Sequence, residues 1–357
     1  MILRQSLVHI MRMRILILGG TAFIGAAAAR RLHVLGHEVT VFHRGKSNAL
    51  LPGRINHVLG DRRLLQDHAK TLTALKPDVV LDMLAMTEFD AREVVAMFTG
   101  VAKRVVVISS CDVYRAFGLV NGIESGELEP VPLTEESRLR EMRYLYRGSK
   151  PRPAEHPNRW MDHYEKILVE RAFLSEPRLP ATVLRLPMVF GEGDKQHRMF
   201  PYLKRMRDQR PAILLQDTMA RWRGCRGYVG NMAEAIALCV VNPKAAGGIY
   251  HVAEAETFSE RQWVERIGAV CGWKGKVIEL REAELPMNLQ AGINAAQDLV
   301  LDSTNIRKEL GYSETVPMEE AIDMAAVWEL DNYPEKYDEG MFDYKAEDEV
   351  LARLSKA

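Results

Sequence analysis

The stretch Arg14-Ile-Leu-Ile-Leu-Gly-Gly-Thr-Ala-Phe-Ile-Gly25 decides the fold of this chain. Its apolar run predicts a buried strand, and the glycine turn after it opens directly into Ala26-Ala-Ala-Ala-Arg-Arg-Leu-His-Val-Leu35. Alanine is the best helix former, and its small side chain lets a helix lie close on a sheet. A second strand, Glu38-Val-Thr-Val-Phe42, follows the turn at Gly36. Strand, glycine turn and helix start together place backbone N–H groups and a positive dipole end where a pyrophosphate can sit. The stretch reads as a dinucleotide site. Gly19, Ala22 and Gly25 stand three apart. Gly19 supplies the tight turn, Gly25 the close approach of helix and strand, and Ala22 brings a methyl group to the middle position. Thr21, Phe23 and Ile24 complete the turn and count with them as cofactor contacts.

Outward from this unit the alternation continues. Ile55–Leu59, Asp78–Asp82, Arg104–Ser109 and Ala181–Leu186 read as strands, with helices over about 63–75, 88–98 and 159–174 between them. This rhythm predicts an α/β fold with a doubly wound parallel sheet, Rossmann-like. Past Pro187 it breaks into loops and short strands, with helices near 232–241 and 259–271. That part predicts a smaller mixed lobe on the carboxyl edge of the sheet, where open α/β sheets bind ligands. The expected division is an N-terminal extension over 1–12, a dinucleotide-binding domain over 13–187, and a substrate lobe over 188–330 with segments returning to the sheet. A C-terminal tail covers 331–357. An irregular segment over about 115–158, rich in charge, Gly and Pro, carries Tyr144 and Tyr146. Irregular stretches of that length inside a domain are usually functional or mobile.

The 357 residues, 47% of them apolar, suffice for a large core. Lys plus Arg equals Asp plus Glu at 48 each, which argues against nucleic acid or an anionic membrane as the main partner. Cys111, Cys225, Cys239 and Cys271 have neither metal-type spacing nor disulfide density, which fits a reduced, cytoplasmic compartment. No apolar run approaches the ~20 residues of a spanning helix. The first ten residues lack the cleavage site of a signal peptide. His197 and His251 have no acidic or His partner at ligand spacing, so they read as structural and no metal site is expected.

With these features in hand, the chain resembles the extended short-chain dehydrogenase/reductase superfamily and, within it, the NAD-dependent epimerase/dehydratase family. The resemblance runs from Met13 to about Trp328. Leu18-Gly-Gly-Thr-Ala-Phe-Ile-Gly25 matches the family's opening motif, Gly60-Asp-Arg62 its adenine-binding turn, and Ser109-Ser-Cys-Asp-Val-Tyr114 its active-site strand end. Leu184-Arg-Leu-Pro-Met-Val-Phe-Gly191 follows its post-sheet pattern, with Met188 where the family has a substrate-binding Asn. Arg226-Gly-Tyr-Val229, Leu301-Asp-Ser-Thr304 and Glu309-Leu-Gly-Tyr312 resemble its later signatures. The resemblance implies an epimerase, dehydratase or reductase that moves hydride between a nicotinamide and a nucleotide-sugar-like or related hydroxy/carbonyl substrate. A homodimer is compatible with it. The competing reading is a non-catalytic or atypical NAD(P)-binding protein on the same fold. Some plant plastid relatives with a similar opening act on or bind RNA, but zero net charge counts against RNA here.

At the end of the second strand an NAD enzyme carries a carboxylate for the ribose 2′-OH, whereas an NADP enzyme needs cations. The position holds His43, followed by Arg44 and Lys46, so NADP is expected over NAD. Asp61 is expected on the adenine amino group. For catalysis the resemblance implies a Tyr and a Lys four residues apart on one helix, plus a Ser or Thr. The lysine binds the nicotinamide ribose and lowers the Tyr pKa, and the phenolate takes the alcohol proton. Ser110 and Lys166 fall on the Ser and Lys positions, Lys166 being a cofactor contact as well. Four residues before Lys166, however, stands Asp162, and Tyr164 lies roughly 200° around a continuous helix from it. Asp162 ranks first as substitute acid because such a helix puts it on the face of Lys166, where it also reads as a plain i,i+4 ion pair. Asp112, Tyr164, Tyr144 and Tyr146 are the other candidates. Arg198, Arg223 and Arg226, with Met188, are expected to face the substrate, the arginines as cations for a pyrophosphate.

Overall fold

β1 (Arg14–Leu18) and β2 (Glu38–His43), joined by α1 (Phe23–Val34), form as the sequence predicts. The computed structural model describes residues 12–47, 50–148 and 150–356, so the expected N-terminal extension lies outside them except for Arg12. There follow β3 (Asn56–Leu59), α2 (Ala69–Ala74), β4 (Val79–Asp82), α3 (Glu88–Phe98), β5 (Arg104–Ser110), α4 (Arg115–Val120), α5 (Lys166–Leu174) and β6 (Ala181–Leu186). β1, β4, β5 and β6 are buried almost throughout, which is why they read as apolar runs and not as alternating patterns.

The remaining elements are β7 (Met188–Phe190), α6 (Phe200–Arg207), β8 (Ala212–Gln216), α7 (Asp217–Arg221), β9 (Arg226–Tyr228), α8 (Val229–Val241) and β10 (Ile249–His251). They are followed by α9 (Glu260–Val270), β11 (Lys276–Leu280), α10 (Thr304–Leu310), α11 (Met318–Asp331) and α12 (Tyr344–Leu354). The main sheet has seven strands in the order β10-β6-β5-β4-β1-β2-β3, all neighbours parallel. α1 packs on α8, and α3 on α5. The strand order reverses direction between β1 and β4, and Leu18 pairs with Asp82 at their carboxyl ends. That switch point is where doubly wound sheets bind ligands.

Two expectations need correction. The helix expected over 159–174 does not run continuously: a 3-10 turn covers Arg159–His163, Tyr164 is extended (φ −61°, ψ 120°), and α5 begins only at Lys166. The break has a cause. The Glu165 carboxylate accepts from the Ile167 N–H and caps α5, and the Glu165 N–H is held by the Met86 carbonyl. Secondly, the segment expected to be irregular from residue 115 starts as α4, anchored where Arg115 pairs with Glu124 and Glu129. The C-terminal tail is a docked element. In α12, Glu347 pairs with Arg205 of α6, and Val350 joins Ala212, Leu214, Leu280 and Leu285 in a separate apolar cluster. β10 returns to the main sheet beside β6, while β8–β11 and β7–β9 form small parallel pairs outside it. Among the described residues no helix is long and apolar enough to cross a membrane.

Candidate active site

The glycine turn has the geometry a dinucleotide requires. Gly19 adopts φ +96°, a left-handed conformation that favours glycine, and a Cβ on Gly25 would run into the Gly19 carbonyl oxygen. The N-cap of α1, Ala22, makes no side-chain capping bond, and no acid stands in the first turn. The first N–H groups of α1 therefore suit an anion. Phe23 (φ +37°) holds a backbone conformation that side-chain-bearing residues seldom take, and its ring, like Ile24, packs partly buried against the core. Their contribution to a ligand would come from the backbone.

A cleft of about 190 Å³ opens beside the turn, lined by Gly19, Thr21, Ala22, His43, Arg44 and Lys46 among others. These residues fit a dinucleotide, with a cationic end for a phosphate. His43 contributes none of that charge. Its Nε2 lies 2.8 Å from His57 Nδ1, its Nδ1 accepts from the Gly45 N–H, and burial followed by the neighbouring His57 lowers its pKa. Arg44 and Lys46 carry the charge, joined by Lys195, which the sequence did not single out. Asp61 is held in a fork with Arg63 (2.7 Å), whose hydrogen bonds bring its pKa down to about 2. Arg62 also lines the cleft, bonded to the Asp90 carbonyl (2.7 Å) and close to Asp82 (3.4 Å).

The residues expected to do chemistry meet at the carboxyl ends of β4 and β5. Lys166 is buried, and its Nζ donates to the carbonyls of Ala85 (2.7 Å) and Ile108 (2.9 Å), one from each strand end. The loop that presents Ala85 is fixed by Asp82, whose Oδ1 accepts from the N–H groups of Leu84 and Ala85. Ser110 ends β5, and its Oγ accepts from the Asp112 N–H at 3.2 Å. Asp112 is buried, and its Oδ2 accepts from the Tyr164 hydroxyl at 2.5 Å. The Tyr164 ring lies 6.0 Å from Lys166 Nζ and is flanked edge-on by Tyr146 and Trp160. Burial lowers the pKa of Lys166 against the pull of Asp112 and Asp82. Burial raises Asp112 in turn, and raises Tyr164 well above the usual phenol value with Asp112 adding to the effect.

Asp162 is not part of this group. With the helix broken at Tyr164 the i,i+4 relation to Lys166 does not exist, and Asp162 instead accepts from the Arg152 N–H (2.7 Å) and pairs with the Arg152 guanidinium. Tyr144 does not reach the group either: its N–H bonds Glu165 and its ring lies under Arg147. The substrate arginines also differ from expectation, since none stands as an open cation. Arg198 pairs with Asp194 (2.7 Å), Arg223 with Asp298 (2.7 Å), and Arg226 with Glu260 over the Trp263 ring. Met188 packs beside Trp222 and Cys225 in an apolar cluster. The sequence also gave no hint of Arg140. Its fully buried guanidinium bonds the Asp112 carbonyl and the Glu165 carboxylate (3.0 Å), tying the strand end to the start of α5.

Residues 15–136 match the NAD dependent epimerase/dehydratase family. The 2′-dehydrokanamycin reductase of Streptomyces kanamyceticus is 27% identical over 267 residues, 73% of this chain and 67% of that protein. The chloroplast stem-loop binding protein of 41 kDa b of Arabidopsis thaliana is 33% identical over 132 residues, which span 33% of this chain and 34% of that one. Among solved structures, the Bordetella bronchiseptica enzyme WbmG in complex with NAD superposes with a TM-score of 0.65 at 16% identity, covering 93% of this chain and 96% of that one. The glycine turn, the parallel sheet with its switch point and the match over residues 15–136 agree: that segment is similar to the NAD-dependent epimerase/dehydratase family, and the fold is the one that solved structure shares.

Proposed function

We propose that the protein is a nicotinamide-dependent hydride-transfer enzyme that binds NADP(H) in preference to NAD(H) and interconverts a hydroxyl and a carbonyl on a sugar-like small molecule. The observation that carries this reading is Lys166, buried and bonded to both strand ends beside Ser110, next to the glycine turn at the switch point. A protein that only bound a nucleotide would have no need of a buried lysine with one proton left to donate there. A bound nicotinamide would supply or take up the hydride. The turn over 19–25 and α1 would hold the pyrophosphate, Arg44 and Lys46 the 2′-phosphate, and Lys166 the nicotinamide ribose.

Of the reactions the family resemblance allows, reduction is favoured. A substrate pyrophosphate would have to displace Asp194, Asp298 or Glu260 from its arginine, so the arrangement favours a neutral or cationic ring over a nucleotide diphosphate. The likeness to a 2′-dehydrokanamycin reductase supports the same choice. Calorimetry tests the cofactor reading. NADP should bind more tightly than NAD, and Arg44→Ala should weaken NADP by about 1.5–3 kcal/mol, the worth of a charged hydrogen bond, with little effect on NAD. Equal or tighter NAD binding by the parent overturns the preference, and failure to bind either dinucleotide overturns the enzyme reading.

A further inference from the structure

Resting on the reading just given, we infer that the proton exchanged with the substrate oxygen is carried by Oδ1 of Asp112, and that Tyr164 is a positioning residue which occupies the other carboxyl oxygen. The two oxygens of Asp112 are unlike. Oδ2 takes the Tyr164 hydroxyl at 2.5 Å, whereas Oδ1 is buried and has no hydrogen-bond partner among the described residues. A buried carboxyl oxygen left bare loses more than a hydrogen bond is worth, unless a proton or a ligand occupies it. Two nearby donors bond other acceptors and not Oδ1: Lys166 gives two of its three protons to backbone carbonyls, and Arg140 bonds the Asp112 carbonyl and Glu165.

Tyr164 is badly placed to be the proton carrier itself. Loss of its proton would set a phenolate against the Asp112 carboxylate, two anions sharing one hydrogen-bond distance in a buried site. Asp112 has the opposite circumstances. Burial raises its pKa toward the working range, and the Tyr164 O–H steadies the carboxylate whenever the proton has left. The geometry is held from outside the site, because one buried guanidinium, Arg140, grips both the Asp112 backbone and Glu165, the residue after Tyr164.

The step balances. In the reductive direction the carbonyl carbon gains the hydride of a reduced nicotinamide, and the C=O π pair moves onto oxygen. That oxygen takes the proton from Asp112 Oδ1, and the resulting carboxylate regains a proton from water. The oxidative direction is the reverse.

The test begins on the cofactor-free chain carrying Asp labelled with ¹³C at Cγ, with the Asp112 signal assigned by its loss in Asp112→Asn. Asp112 should titrate above the ordinary carboxylate range, and Tyr164→Phe, which removes the bond that favours the charged form, should move its midpoint further up by about a unit or more. An Asp112 that titrates near 4 in both proteins overturns the inference. Turnover of 2′-dehydrokanamycin with NADPH gives the second readout. Asp112→Asn should cost about 100-fold or more in kcat. Tyr164→Phe should keep measurable turnover with its pH profile displaced alkaline. The reverse pattern, Tyr164→Phe inactive and Asp112→Asn active, makes Tyr164 the acid and overturns the inference. If that substrate does not turn over, the carboxyl titration decides alone. Loss of NADPH binding by the parent would count instead against the enzyme reading, so the two failures are distinguishable.

Discussion

Position 25 has no room for a side chain, because the Gly19 carbonyl oxygen fills the space where a Cβ would stand. Gly25→Val should therefore push α1 away from β1 and abolish dinucleotide binding, read by calorimetry with NADP and by a lowered melting temperature. Full affinity in that variant would mean that the turn does not hold the pyrophosphate. His43 shows a different residue-scale lesson. Its place at the end of β2 was legible, but its ring is occupied by His57, which arrives from β3. The cationic character expected there thus rests on Arg44 and Lys46. Position alone did not reveal which of the three residues carries charge.

At the scale of elements, the interrupted helix before Lys166 matters most. Spacing counted along one continuous helix ranked Asp162 above Tyr164, and the break at Tyr164 reverses that order. A helical period has meaning only inside an unbroken helix. The break depends on Glu165, which caps α5 and is paired with the fully buried Arg140. Removing one partner of such a pair leaves a buried charge without compensation, so Arg140→Met should cost about 3–5 kcal/mol in urea unfolding. It should also broaden or shift the Asp112 signal, because the same guanidinium holds the Asp112 carbonyl. A variant as stable as the parent would show that Arg140 does not organise this junction.

Across the whole molecule, a buried polar network ties the returning strand β10 to the sheet. Arg185 of β6 forks onto Glu170 of α5 and donates to Tyr114 (2.6 Å), and the Tyr114 hydroxyl bonds His251 Nε2. His251 Nδ1 donates to the Asp302 carbonyl (2.9 Å), so the ring is neutral and both nitrogens are occupied. Burial lowers its pKa to about 4 from an ordinary value near 6.5. Between those values the unfolded chain binds the proton and the folded one does not. The stabilisation is complete above pH 6.5 and is lost as pH falls toward 4, on the order of 3 kcal/mol in all. Urea melts at pH 7.5 and 5.5 should show lower stability at the acid value, with a smaller drop in His251→Gln. An equal drop in both proteins would assign the loss to other groups.

What the sequence determined by itself was local and periodic. The strand–glycine–helix unit at 14–34 and the alternation that makes a parallel sheet were readable, because each depends on near neighbours along the chain. Tertiary structure decided whatever depends on residues far apart in sequence. Arg140 reaches Glu165 and Asp112, carboxylates from distant loops or helices neutralise Arg223 and Arg226, and α12 packs onto α6. The Asp112–Tyr164 contact spans 52 residues of chain. It forms because burying charged and polar groups is favourable only when partners meet them, and those partners are supplied by the folded molecule and not by the neighbouring sequence.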